Sequence, residues 1–130
     1  MSDLLQGLSA ASSGMTAQST RLRIVSENIA NADTPGFRRK LVTFEAMVNR
    51  TDDTRAVVPS RVSFDQRPLE QVYDPGHPLA DADGYHDGSN VEMMIEIADA
   101  REAQRSYEAN LRMFDQSRQM LTSLFDLLRR

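Results

Sequence analysis

From Ser89 to Arg130 the chain carries neither proline nor glycine. Over this stretch Met93, Ile97, Ala100, Gln104, Tyr107, Leu111, Phe114, Arg118, Leu121, Phe125 and Leu128 recur at alternating steps of four and three. That spacing puts them on one face of a helix and reads as an a/d seam, with Gln104 and Arg118 out of character. Met94, Met113, Met120, Leu124 and Leu127 widen the stripe. Ser89 and Glu92 have capping-box spacing and predict the start of the helix. At 1.5 Å per residue it would run roughly 55–60 Å, longer than a chain of this size folded as a sphere is wide. Such a helix requires a partner helix.

Residues Ser2 to Asn31 supply one. Leu4, Leu8, Ala11, Met15, Gln18, Leu22, Val25 and Ile29 follow the same alternation without a slip. The stripe is narrow, and Gly14 costs about 1 kcal/mol against alanine in a helix interior. Alone in water this helix would be marginal, because most helical stability comes from packing the apolar face. Thr34-Pro35-Gly36 ends it: proline disfavours the α region in the residue before it, and Pro-Gly is a turn signal. The amides of Asn28 and Asn31, one turn apart, are placed to bond the last carbonyls or the turn backbone. Arg38-Arg39-Lys40 reads as a solvated basic triplet.

The middle is different in kind. Val42 and Phe44, and again Val62 and Phe64, alternate with period two, and Val57-Val58 is a further β-prone pair. Thr51-Asp52-Asp53-Thr54 and Pro59-Ser60 read as loop punctuation, so a small hairpin or two beside the helical ends is expected. Residues 74–85 hold Pro75, Gly76, Pro78 and Gly84 among Asp74, Asp81 and Asp83, and must be a loop. Aligning Gly84 with the sixth position of a calcium loop puts Leu79 first and Asn90 twelfth. Neither is a carboxylate, so the motif fails.

Charge and composition bound the function. The 130 residues sum to −4, as +2 over residues 1–50, −5 over 51–90 and −1 over 91–130. Neither end is basic enough for a nucleic-acid footprint. There is no cysteine, so no disulfide or thiol chemistry is expected. Met1-Ser2-Asp3 lacks the positive, apolar start of a cleaved signal, and no stretch has the length of a membrane span. A soluble chain is expected. His77 and His86 lie in the acidic segment, and a His77–Asp74–Ser89 constellation has neither a nucleophile elbow nor a phosphate cradle around it. No enzyme, cofactor or small-molecule substrate is indicated. The expected fold is mainly α: residues 1–32 and 89–130 form long terminal helices packed as a coiled-coil-like pair, and residues 33–88 hold a turn, short β-prone segments and an acidic loop. The stripes differ in length, so part of the longer one is left either to meet another chain or to let the helix fray.

Three stretches are more specific. Ser26-Glu27-Asn28-Ile29-Ala30-Asn31-Ala32-Asp33-Thr34-Pro35-Gly36-Phe37 resembles the N-terminal signature of the bacterial flagellar rod and hook axial proteins. Asp74-Pro75-Gly76-His77-Pro78-Leu79-Ala80-Asp81-Ala82-Asp83-Gly84-Tyr85 is similar to the loop that marks the proximal rod members of that family. Asn90-Val91 and Arg105-Ser106-Tyr107-Glu108-Ala109-Asn110 resemble its C-terminal signature. Glu92, where the family often has asparagine, and His86-Asp87 after Tyr85 depart from the pattern, and residues 51–67 match nothing.

The resemblance implies a structural subunit of the proximal rod, the drive shaft crossing the periplasm, exported by the flagellar type III apparatus without a cleaved signal. Its implied partners are further copies of itself, other proximal and distal rod subunits, and the rod-to-membrane-ring adaptor. On this reading Leu22, Val25, Ile29, Tyr107, Asn110, Leu111, Phe114, Leu121 and Phe125 lie at assembly interfaces in an inner layer. Asn28, Asn31, Thr34, Pro35 and Gly36 set the exit from the first helix, and Asp74, Pro75, His77, Pro78, Gly84 and Tyr85 make a subunit-specific contact. A cytoplasmic export chaperone or adaptor, holding a client helix on the methionine row, is the rival from another class.

Overall fold

A computed structural model describes residues 2–49 and 54–130. The two ends are helices, α1 (Ser2–Ala30) and α2 (Met93–Leu128). Between them β1 (Lys40–Asn49) and β2 (Thr54–Phe64) form an antiparallel hairpin. A second antiparallel pair follows, β3 (Gln71–Tyr73) with β4 (Tyr85–Asp87). The long terminal helices pack on each other around a small β middle, as their spacing predicts.

The helices run antiparallel. A side chain at Gly7 would meet Ser117, Gly14 abuts Asn110, Arg21 bonds Asp99 and Asn28 bonds Glu96. The row of α2 turned to α1 is therefore Glu96, Asp99, Ala103, Ser106, Asn110 and Ser117, all buried or half-buried. It lies one residue, about 100° of helix rotation, from the apolar seam read in the sequence. Phe114, Ala100 and Leu121 of that seam are half-buried, but Met93, Ile97, Tyr107, Leu111, Phe125 and Leu128 are exposed. The expected packing of Ile97, Tyr107, Leu111 and Phe125 against α1 is corrected accordingly. Size explains the rotation. Gly14 on α1 allows close approach, since a Cβ there would come within 2.7 Å of the Asn110 amide. Ala11, Ala17 and Ala103 are at most 3 % exposed, and close contact between small side chains recovers dispersion over much of the helix length.

The apolar core is accordingly thin. Ala11, Ala17, Ile24, Val25 and Ala103 are its buried members among the described residues. The accessible surface is 9205 Å², whereas a globular protein of this mass exposes about 6,900 Å².

The hairpin differs from expectation in extent. Val57-Val58, Val62 and Phe64 belong to a single strand, and Pro59-Ser60 lies inside it rather than in a loop, where the register shifts between Thr43 and Phe44. Val57 donates its backbone N–H outward to Ser13 Oγ (3.1 Å). Pro59, two residues on, has its missing donor on that same outward side, so no ladder bond is lost. Of the expected loop at 51–54, Thr54 opens β2 and residues 51–53 lie outside the described residues. Among the described residues no helix is long and apolar enough to cross a membrane.

Candidate assembly surfaces and the junction that positions them

Where α1 ends, the hairpin begins and α2 starts, polar side chains tie the elements together. Asn28, 1 % exposed, uses both ends of its amide: Nδ2 donates to the Lys40 carbonyl (3.0 Å) and to Glu96 Oε2 (3.3 Å), and Oδ1 accepts from Lys40 N–H (2.9 Å). It thus pairs with the first residue of β1 as a strand neighbour would. Asn31 Nδ2 donates to the Glu27 carbonyl (2.8 Å), and Asn31 Oδ1 accepts from the Thr34 hydroxyl (3.1 Å). Gly36 takes φ 76°, a left-handed value that glycine adopts without steric cost. Its N–H reaches the Gly88 carbonyl at 3.0 Å.

The basic triplet is not a solvated surface. Arg39 is the hub: its guanidinium pairs with Glu96, with Asp99 (2.8 Å) and with Asp65 (3.7 Å). Burial works against the charge, but the hydrogen bond that Arg39 donates to Glu96 and the three carboxylates outweigh it and hold the Arg39 pKa above its ordinary value. Arg38 donates to the carbonyls of Asp65 and Arg67, and Lys40 pairs with Glu27 at 2.9 Å. The Lys40 hydrogen bond, against a smaller effect of burial, holds Glu27 below the usual carboxylate range. Asp65 is lowered too, first by the Arg67 backbone N–H and, against burial, by the guanidinium groups of Arg67 and Arg39. A half-buried arginine with three acidic partners satisfies its forked donors, which is what makes withdrawing the charge from water tolerable.

Asn90 closes the ring, accepting from Arg39 N–H (2.6 Å) and donating to the carbonyls of Asp65 and Arg67. The expected capping box does not form. Ser89 gives its hydroxyl to the Ala32 carbonyl, and Glu92 pairs with Arg67. The helix starts at Met93 with Glu92 as an N-cap that makes no side-chain cap bond. Residues of the box are drawn instead into the seam between the turn and α2. Sequence reasoning missed Arg39, Asp65, Asn90 and Glu96 as a group. The one available signal was Glu96 on the small-residue row of Ala103 and Asn110, where a carboxylate demands a cation.

The acidic segment is ordered by its own side chains. Asp81 Oδ1 accepts the N–H groups of Asp83 and Tyr85, at 2.9 and 3.0 Å. Gly84, buried at φ 87°, brings its backbone so close that a Cβ would lie 2.9 Å from the Tyr73 ring and 3.0 Å from Pro75. The rings of His77 and His86 stack at 4.0 Å, and His77 Nδ1 accepts Leu79 N–H. The neutral His77 tautomer with its proton on Nε2 makes that bond. Asp74, Pro75, Pro78 and Tyr85 are exposed and His77 is half-buried. Ser89, bound to Ala32, forms no part of a constellation with His77 and Asp74.

Of the remaining residues singled out in the sequence, Val25 is buried, and Leu22, Ile29, Asn110, Phe114 and Leu121 are half-buried in the helix pair. Thr34, Pro35 and Gly36 are exposed at the turn. Tyr107, Leu111 and Phe125 are exposed on one flank of the α1-facing row of α2, and Met113 and Met120 on the opposite flank. The structure thus presents an antiparallel helix pair with apolar side chains exposed on both flanks of α2 and a β-hairpin bonded to α1 at Asn28 and at Ser13. That arrangement has the character of an assembling structural protein.

Comparison with known proteins agrees. Residues 8–38 match the family model described as flagella basal body rod protein, and residues 82–127 match that of the flagellar basal body rod FlgEFG protein C-terminal region. The class is that of flagellar basal-body rod proteins. Within it, the chain is 47% identical over 126 residues to the flagellar basal-body rod protein FlgC of Agrobacterium fabrum, covering 92% of this chain and 91% of that one. It is 35% identical to the FlgC of Salmonella typhimurium, over 95% of this chain and 97% of the other. The FlgC of Aquifex aeolicus is 34% identical, over 97% and 98%. The chain belongs to the flagellar basal-body rod protein FlgC family. It is a structural subunit of the flagellar basal-body rod and associates with other rod components. It is not an enzyme, and the chaperone reading is not favoured.

Proposed function

We propose that the subunit polymerises through its terminal helices into the proximal rod, where it forms an inner layer of the shaft that transmits motor torque. The observation that carries this is the exposed apolar flank of α2: Ile97, Leu111 and Phe125 are between 41% and 49% exposed. Each large side chain of this kind, buried fully against a neighbour, contributes about 1.5–3 kcal/mol. Leu22, Val25, Ile29, Asn110, Phe114 and Leu121 hold the α1–α2 pair whose outer side Tyr107, Leu111 and Phe125 offer to the next subunit. Asn28 and Asn31, with Thr34, Pro35 and Gly36, set the direction in which the chain leaves that layer. The proposed neighbours are copies of this chain, other proximal and distal rod subunits and the adaptor to the membrane ring, in the periplasmic space after type III export. A thin core suits that route: a chain that buries little by itself unfolds easily for export and gains stability on assembly.

The test replaces Leu111, which is 41% exposed, with aspartate. The free chain should keep its helicity by circular dichroism and should still be exported, while its amount in purified basal bodies falls at least tenfold. Incorporation of Leu111→Asp at the wild-type level would refute the role of this face.

A further inference from the structure

The two edges of the hairpin are treated differently. On β2 the outward donor of Val57 is taken by Ser13 of α1, and Pro59 has no donor to offer. Because Val57 pairs with Ala46 and donates away from β1, the pair is a non-hydrogen-bonded one. Alternation in an antiparallel ladder then turns the backbone groups of Phe44, Ala46 and Val48 outward from β1. Among the described residues none of these groups has a hydrogen-bond partner. Met47 and Val48, 59% and 53% exposed, lie along this half of the strand. Proline is absent from β1, lysine occurs only at its first residue, and Glu45 is the one charged side chain of its outer half, so few of the usual devices that blunt a free edge are present there.

The β3–β4 unit carries a second free edge. Glu70 and Asp74 donate across to Ser89 and Gly84 on the β4 side, so the backbone groups of Gln71 and Tyr73 face away. Tyr73 and Leu79 are 64% and 66% exposed. From Pro68 to Gly88 the sequence holds Glu70, Asp74, Asp81, Asp83 and Asp87 and no lysine or arginine, a charge of −5. Over 40–64, Lys40, Arg50, Arg55 and Arg61 against Glu45, Asp52 and Asp53 give +1. Arg55 and Arg61 are exposed and join no ion pair among the described residues.

We infer that the hairpin of one copy receives the β3–β4 unit of a second copy, strand β3 adding to the open edge of β1. Opposite charge on two patches that are each partly apolar favours this pairing over β1 with β1. The two surfaces are different parts of the chain, so the contact is head-to-tail and propagates along a helical array instead of closing a dimer. This contact rests on the rod-assembly reading but is separate from the helix layer.

The chain has no cysteine, which makes disulfide trapping clean. Paired strand residues lie within disulfide reach. Ala46→Cys combined with Gln71→Cys or Tyr73→Cys, expressed as the full chain and oxidised in isolated basal bodies, should give disulfide-linked oligomers of this subunit. Each single-cysteine chain should give none. Reversing Arg55 and Arg61 to glutamate should lower the cross-linked yield about tenfold, and adding Asp74→Lys and Asp83→Lys to the same chain should restore it. Normal incorporation without cross-linking overturns this contact and leaves the rod reading intact. A dimer from Ala46→Cys alone overturns it in favour of symmetric β1 pairing. Failure of charge restoration overturns the electrostatic basis of the choice. If the wild-type chain is absent from basal bodies the rod reading fails, and this contact with it.

Discussion

Replacing Asn28 with alanine should separate the α1 end from the hairpin while leaving both helices intact. The side chain is 1% exposed and makes three hydrogen bonds, two to the N–H and C=O of Lys40 and one to Glu96. Alanine leaves a backbone donor, a backbone acceptor and a carboxylate oxygen without their partner. Each unsatisfied buried group costs about 1–3 kcal/mol. Partial access of water at Lys40, which is half-buried, reduces that, so the expected loss is about 2–4 kcal/mol. Asn31→Ala removes a bond to the Glu27 carbonyl and one to the Thr34 hydroxyl at a half-buried position. It should cost only about 1 kcal/mol. Urea unfolding followed by circular dichroism gives the two stabilities, and hydrogen exchange reads the Lys40 amide directly. That amide should lose its protection in Asn28→Ala and keep it in Asn31→Ala. Equal losses from the two substitutions, or a Lys40 amide still protected without Asn28, would refute the view that this amide acts as the strand partner of β1.

Gly14→Ala gains about 1 kcal/mol of helix propensity but drives a Cβ into Asn110. The net effect should be a loss of about 1 kcal/mol, overpacking outweighing propensity. In an Asn110→Ala background the same change should become stabilising, and simple additivity in the double-mutant cycle would remove the packing argument. Gln18 Oε1 is buried without a hydrogen-bond partner, so Gln18→Met should raise stability by about 1 kcal/mol in thermal unfolding; a loss would mean that the oxygen is satisfied in solution. Asp65 has a folded pKa below its ordinary 3.8. Its contribution is therefore complete above that pH and is lost as pH falls through the lower folded value. Asp65→Asn should be less stable than wild type at neutral pH and should show a shallower loss below pH 3.8; parallel acid curves would contradict the assignment.

Both helices were legible because a repeat of three and four persists over many turns and no proline interrupts it. The turn at Thr34-Pro35-Gly36 was legible because proline and glycine act locally. The hairpin was legible only as fragments. Pro59 argues against a strand unless it is known that its side of β2 faces away from β1, and that follows from the packing of α1 at Ser13. Ser89 and Glu92 satisfied a local pattern, yet stronger partners distant in sequence, Ala32 and Arg67, took both side chains. Arg39 looked like surface because its acceptors, Asp65, Glu96 and Asp99, lie 26 to 60 positions away along the sequence.

Periodicity, turn chemistry and three motifs in order determined from sequence that two terminal helices flank a β-prone middle, and which family the chain belongs to. Those signals are local, since each depends on residues within a few turns of one another. Which side of α2 meets α1 was decided only in three dimensions. There the small row of Ala103, Ser106 and Asn110 fits against Gly14 and its neighbours more closely than the bulky row of Ile97, Tyr107 and Leu111 can. Apolar spacing identifies a surface that must be buried. It does not say whether the chain itself or its neighbour in the assembly buries it, because hydrophobic burial is non-directional and the choice between the two rows rests on the shape of the facing helix.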